Sequence, residues 1–350
     1  MKKITRNTFR RPLASLPYAV QKGLLPRQVI ALFYHLVSEK PLPHVAHLYP
    51  YRPLHLFEQD LVYVKENYQP VSYPQLVERK IAGSPASRTA GSPKKRTTGS
   101  PKNRTAVHIS FDDGFAECFT LARPLLLKYA IPCTFFLTTD FLDNARMYYR
   151  NAVSLCIDKV LAENGMGSIS QLNQEFGLAL AGNVDFVRWI KSLTGEALVE
   201  KVCACLGIDT RAYLADQQPY LTTAQVQALA ADGFTLGAHT CRHQKLARLS
   251  REEVEHEIVE SCQIVAEISG QDSVPFSFPN SGEGVDRQFL ADLRRRNPVI
   301  GLVFDTKGLR PERDHILNRI WVESPKLNPG GEHSLPVVLK NAYRDYFLTM

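Results

Sequence analysis

The stretch Val107-His108-Ile109-Ser110-Phe111-Asp112-Asp113-Gly114 constrains this chain more than any other. Its first five residues run apolar or alternate with a β-branched bias, the pattern of a buried strand. The strand stops at two adjacent carboxylates and a glycine. An ionised carboxylate is too costly to bury unpaired in an apolar core. Asp112 and Asp113 must therefore lie at the strand's carboxyl end, facing a metal, a cation or water. Gly114 frees the backbone to turn there. Leu121, Leu125, Leu126 and Tyr129 then share one helical face. Strand, acidic turn and helix make the unit from which α/β enzymes build a site at strand carboxyl ends. An isolated Asp-Asp-Gly would be only a surface turn, so a second feature has to support the reading.

That feature is Phe234-Thr235-Leu236-Gly237-Ala238-His239-Thr240-Cys241-Arg242-His243, another apolar strand ending in a polar cluster. His239 and His243 are four apart, a spacing that lets two imidazoles converge on one metal. A lone pair of this kind is weak, since either histidine could cap a helix or sit on the surface. Together the two strand ends offer three metal ligands and one spare carboxylate.

Ser110-Phe111-Asp112-Asp113-Gly114 resembles the Thr-Phe-Asp-Asp-Gly motif of polysaccharide deacetylases, the NodB-homology group or carbohydrate esterase family 4. His239-Thr240-Cys241-Arg242-His243 is similar to that family's His-Ser/Thr-x-x-His motif, and the two occur in the family's order. Tyr34-His35 and Phe57-Glu58 match a strand end and a helix start that often precede the acidic motif there. The resemblance implies an α/β fold, a distorted (β/α)7 barrel, here with a helical insertion. It implies Asp113, His239 and His243 as ligands of a divalent metal ion, Zn2+ first and Co2+ or another ion next, and Asp112 as general base. The implied reaction is hydrolysis of an acetyl group, N-acetyl in the first instance, on a polysaccharide or glycoconjugate.

Two motifs depart from the family pattern. Many members carry an arginine and a Pro-Tyr in the third motif. Phe276-Ser277-Phe278-Pro279-Asn280 keeps the proline, lacks the arginine and has Asn280 for the tyrosine, resembling the Phe-x-Tyr-Pro variant of exopolysaccharide deacetylases. Phe278, Pro279 and Asn280 are the expected substrate contacts, but nothing there orients Asp112. The Leu-x-His motif that supplies a general acid in many members is missing, and only Leu317-Asn318-Arg319-Ile320 stands in its region. His35, at the end of the first strand, is the expected catalytic acid or a group that orients it, the alternative being a structural histidine that hydrogen-bonds a neighbouring loop. The altered motifs leave open a catalytically impaired glycan- or metal-binding relative. A zinc peptidase is ranked low because Thr240 replaces the glutamate of His-Glu-x-x-His.

Charge distribution divides the chain. Its net charge is +7, yet residues 1–28 hold seven basic residues and no acid, and residues 83–106 hold six more and no acid. The remainder carries 29 basic against 35 acidic residues. The basic excess thus sits in two segments outside the body, which gives no support for specific nucleic-acid binding. Residues 83–106 form a GSPxxRTx repeat of eight residues with no large apolar group. Such a segment cannot offset its conformational entropy and is expected to be a disordered basic loop, with at most a weak anion contact. The expected organisation is a basic tail over 1–28 and the first part of the barrel over 29–82. The repeat loop at 83–106 follows, then the rest of the barrel over 107–325 with a helical insertion at about 141–220, and a terminal helix over 326–350. Seven scattered cysteines without a Cys-x-x-Cys pair fit a reducing compartment. With neither a signal-peptide core nor an apolar run of about 20 residues, a cytoplasmic location is expected.

The remaining elements follow from pattern. Val29–Tyr34 reads as a first strand and His55–Asn67 as a helix. Pro70–Tyr73 reads as a short strand before a helix over Gln75–Lys80. A single helix is expected over 115–130, and strands at Pro132–Thr138, Pro275–Asn280, Val299–Phe304 and Ile316–Val322. Thr222 with Gln225 and Ser250 with Glu253 are capping boxes that open two helices.

Overall fold

The computed structural model describes residues 10–25, 29–82, 104–163, 165–312 and 315–349. The repeat, expected to be a disordered loop, lies outside the described residues as far as position 103. Its flank is described: Gln69 N–H donates to Thr105 O at 3.0 Å, just before the strand that carries the acidic motif begins.

The strands are β1 (Val29–Tyr34), β2 (Gln69–Pro70), β3 (Ala106–Phe111), β4 (Cys133–Leu137), β5 (Thr235–Ala238), β6 (Val274–Ser277), β7 (Ile300–Asp305), β8 (Ile316–Asn318) and β9 (Ile320–Trp321). They pair in parallel in the order β8-β7-β6-β5-β4-β3-β1-β9, with β2 added beside β3. β8 and β9 are one extended run interrupted at Arg319. Its first half pairs with β7 and its second half with β1. This shared stave closes the ring and makes seven, the expected distorted (β/α)7 barrel. Parallel strands are covered on both faces, and every residue of β3, β4, β6 and β7 is buried.

Helices cover the outside. In chain order they are α1 (Arg10–Ser15), α2 (Tyr18–Leu24), α3 (Leu54–Asn67), α4 (Tyr73–Ala82), α5 (Arg123–Tyr129), α6 (Tyr149–Ala162), α7 (Met166–Phe176), α8 (Asn183–Ser192), α9 (Glu196–Cys205), α10 (Thr210–Gln217), α11 (Thr223–Ala231), α12 (Arg251–Ser269), α13 (Arg287–Arg296) and α14 (Leu335–Thr349). Both capping boxes form, at the starts of α11 and α12. Three local expectations need correction. Tyr73 opens α4 instead of ending a strand. The helix after the acidic motif begins as a π-helical turn over Cys118–Ala122, and Pro124, which has no N–H to donate, stands in the first turn of the regular helix after it. Part of the segment read as a basic tail is ordered. α1 and α2 pack on α14, with Tyr18 and Tyr343 edge to face at 5.4 Å and Gln21 buried and bonded to Leu13 O and Ala14 O.

Helices α6–α10 make up the expected insertion and have a core of their own, built on residues such as Val153, Ile157, Phe186, Ile190 and Val202. Tyr148 and Arg150, at the start of this unit, and Lys191 on α8 line the cleft above the barrel. All seven cysteines are free. No helix among the described residues is long and apolar enough to cross a membrane.

Candidate active site

The alternation of β3 fixes the first part of the site. Val107, Ile109 and Phe111 join the core beneath the outer helices. His108 and Ser110 face the barrel interior, where His108 bonds Val71 O at 3.0 Å and Thr134 Oγ1 at 3.1 Å. Asp112 continues this inward face at the top of the strand. The chain then turns through Asp113 at φ 74° and Gly114 at φ 77°. A left-handed conformation is costly for a residue with a Cβ and concentrates where function over-determines it. Thr240, His243 and Asn280 share it, at φ 67°, 55° and 61°. All four residues belong to the loops around one cleft.

Asp113, His239 and His243 converge. Their ligand atoms lie within 4.8 Å of one another. Asp113 Oδ1 is 3.4 Å from His239 Nε2 and 3.1 Å from His243 Nε2. His239 donates from Nδ1 to Ser277 O at 2.8 Å, which leaves Nε2 bare toward Asp113. His243 is placed by its N–H, which donates to Thr240 Oγ1 at 2.9 Å, and by the Tyr148 ring at 4.6 Å. Buried Glu257 on α12 pins the same loop by accepting from the N–H groups of Cys241 and Arg242 at 2.9 and 3.1 Å. Asp113 Oδ1 is buried without a hydrogen-bond partner among the described residues. A buried, unpartnered carboxylate oxygen facing His239 Nε2 and His243 Nε2 fits a divalent cation.

Asp112 is held differently. Arg319, fully buried at the break between β8 and β9, donates from Nη1 to Asp112 Oδ1 and from Nη2 to Asp112 Oδ2, each at 2.7 Å. The same guanidinium also reaches Ser110 Oγ and Ser277 Oγ, and it lies 4.3 Å from the Phe33 ring centre. Burial pushes the Asp112 carboxyl up, but Arg319 and His239 outweigh it and hold it below the ordinary carboxylate value. Burial also works against the Asp113 anion, and His243 and His239 hold it well below that value. Arg319 thus supplies the cation that the third motif lacks. It arrives from the region where the sequence offered no general acid. Its pairing partner is 207 residues away, and the local signal was an arginine inside a run read as a strand.

The other expected site residues are placed as follows. His35 lines the same cleft, with Tyr49 at 4.7 Å and Trp321 at 5.2 Å between ring centres. Burial lowers its pKa, opposed by the charges of Asp113 and Asp112. Its own N–H donates to Glu323 Oε1 at 2.8 Å. Phe278 and Asn280 line the cleft, whereas Pro279 is buried away from it. Tyr49, not anticipated from its Pro/His-rich loop, donates its hydroxyl to Asp113 Oδ2 at 3.2 Å. The cleft has a volume of about 710 Å³.

Comparison with known proteins gives a partial family match and a shared fold. Residues 185–297 match the sequence model of the polysaccharide deacetylase family. No curated protein matches the chain. Among solved structures, the fold is similar to that of the deacetylase PplD of Streptococcus pyogenes, solved in complex with acetate. The identity is 17%, 90% of this chain and 97% of that one are covered, and the TM-score is 0.51. It is similar to IcaB from Ammonifex degensii at 16% identity, with 90% and 97% covered and a TM-score of 0.52. It is also similar to a de-N-acetylase from Aggregatibacter actinomycetemcomitans at 14% identity, with 89% and 99% covered and a TM-score of 0.53. The sequence match spans the histidine motif, and the acidic motif reaches the same cleft through the fold. Residues 185–297 are thus similar to the polysaccharide deacetylases, and the solved structures show that the chain shares the fold of the deacetylases named above.

Proposed function

We propose that this protein is a metal-dependent hydrolase that removes acetyl groups, N-acetyl in the first instance, from a polysaccharide or glycoconjugate. The observation that carries the reading is the pairing of an Asp113/His239/His243 cluster with a separate carboxylate, Asp112, clamped by Arg319. The three ligands would hold a divalent ion, Zn2+ first and Co2+ next, since imidazole and carboxylate suit both. When bound, such an ion lowers the pKa of water and polarises an acyl carbonyl.

The chain's own residues do the rest. Asp112, ionised and fixed in direction by Arg319, accepts the proton of the attacking water. The Arg319 fork keeps the carboxylate from rotating into the ligand set, so Asp112 acts beside the ion. His35 passes a proton to the leaving sugar amine. Phe278 and Asn280 flank the acetyl group, and a backbone N–H at Asn280 serves the developing oxyanion. Tyr49 holds the second oxygen of Asp113 and restricts it to one lone-pair direction.

The alternative, an impaired glycan- or metal-binding relative, rested on two altered motifs, the missing arginine and the missing Leu-x-His acid. Arg319 fills the role of the first and supports an active enzyme. The test is acetate release from a panel of acetylated oligosaccharides, with and without chelator. Acetate that appears, stops with chelator and returns with Zn2+ or Co2+ supports the reading. Glycan or metal binding with no acetate from any panel member supports the impaired relative instead.

A further inference from the structure

The cleft over the metal cluster does not end at His243. A second cleft of about 380 Å³ adjoins it, and the two share Tyr148, Arg150, His243 and Asn280 as common walls. Together they make a trough whose shared wall carries His243 of the Asp113/His239/His243 cluster. Trp321 and Tyr346 line one arm, and Tyr148 and Tyr149 line the other.

The charge along this trough is one-sided. Lys191 stands in the first arm, Arg150 at the junction, and Lys245 and Arg248 in the second. Among the described residues, no acidic side chain lies within ion-pair distance of any of these four. Outside the catalytic pair, the acids on the trough walls are Asp345 and Glu196, and both are taken. Asp345 pairs with Lys326 at 2.5 Å and Glu196 with Arg146. Arg150 is anchored over the Tyr149 ring at 5.0 Å, with Nη1 donating to Lys191 O at 2.7 Å. This bias runs against the background, because outside the two basic segments the chain carries 29 basic and 35 acidic residues. Unneutralised cations lining a concave, partly desolvated surface focus the field there and select anions.

A ligand that spans both arms must pass the metal cluster, so the anionic groups belong to the substrate itself. We propose that the substrate is an anionic acetylated glycan, with carboxylate or phosphate groups on the units either side of the acetylated sugar. The proposal rests on the deacetylase reading of the site and names its substrate class. Four cations over two arms match an extended chain better than a single charged sugar, and the aromatic walls offer faces for the pyranose rings.

Titration calorimetry on the full-length, metal-loaded Asp112→Asn protein tests this without turnover. Three probes are needed: an N-acetylglucosamine–glucuronate tetrasaccharide, its carboxyl-reduced neutral counterpart, and a phosphodiester-linked N-acetylhexosamine oligomer. At least one anionic probe should bind roughly tenfold or more tighter than the neutral one, the worth of one or two charge-assisted hydrogen bonds. The preference should shrink as salt rises. The Lys245→Glu/Arg248→Glu double variant, with metal content checked, should lose it, and Lys340→Glu on the outer face of α14 should keep it. Which anionic probe wins identifies the charged group. Equal or weaker binding of both anionic probes overturns the proposal. Acetate release by wild-type enzyme from the same probes separates the two levels. Release from the neutral probe with no binding preference sinks the anionic substrate alone, and an anionic preference with no acetate sinks the deacetylase reading alone.

Discussion

Arg319 and Asp112 form a bidentate pair, each oxygen receiving one N–H at 2.7 Å, with the arginine fully buried in the wall of the barrel. The pair joins the closing stave to β3, so the same contact that aims the proposed base also holds the ring together. Removing one partner of a buried pair leaves the other charge stranded, at a cost of about 3–5 kcal/mol.

Arg319→Ala should therefore lose both stability and activity, seen as a large drop in Tm and no acetate. Arg319→Lys keeps a positive charge but cannot make two parallel bonds. It should fold and hold metal, with kcat reduced by at least ~10-fold and KM little changed, since one orienting bond of the two is lost. Unchanged kcat in the lysine variant would remove Arg319 from the positioning of Asp112.

His35→Ala should keep the fold and the metal and lose activity by ~10²-fold or more, the usual worth of acid–base catalysis. The alkaline limb of its pH–rate profile should change as well. Activity close to wild type would exclude His35 as the proton donor, and the search would move to Tyr49 and the helical insertion.

Glu323 gives a pH prediction that does not involve the metal cluster. Burial raises its pKa to about 8, against the favourable bond from His35 N–H. Its second oxygen has no hydrogen-bond partner among the described residues. Its folded pKa lies above the unfolded value, so between about pH 4.5 and 8 the folded state binds more protons than the unfolded one. Stability from this group is therefore present at low pH and lost as pH rises toward 8. Glu323→Gln keeps an acceptor for His35 N–H and cannot ionise. Chemical denaturation at pH 5 and pH 8.5 should show wild type losing stability relative to this variant. Parallel pH dependence in the two proteins would refute the buried, protonated carboxyl.

The parts of the site that were legible in the sequence share one property: they sit on a continuous local pattern. Asp112 and Asp113 end a strand whose period of two can be read directly, and His239 and His243 are four residues apart. A closed barrel of seven or eight strands follows from alternating strands and helices, and the family resemblance implies seven. Arg319 was not legible as the partner of Asp112, because their pairing depends on where β8 hands over to β9, a feature set by barrel closure. Tyr49 was hidden because its loop has no periodicity and only the tertiary fold brings it to Asp113. The order in residues 10–24 was missed for a related reason. A basic segment reads as a solvated tail unless the apolar face of α14 that it covers is known.

The division of labour between Asp112 and Asp113 is tested most directly by the metal stoichiometry of purified Asp112→Asn protein. The geometry predicts about one divalent ion per chain, as in wild type, because a three-ligand site remains intact, together with loss of acetate release. A metal-free Asp112→Asn protein would contradict it and make Asp112 a ligand instead of the base.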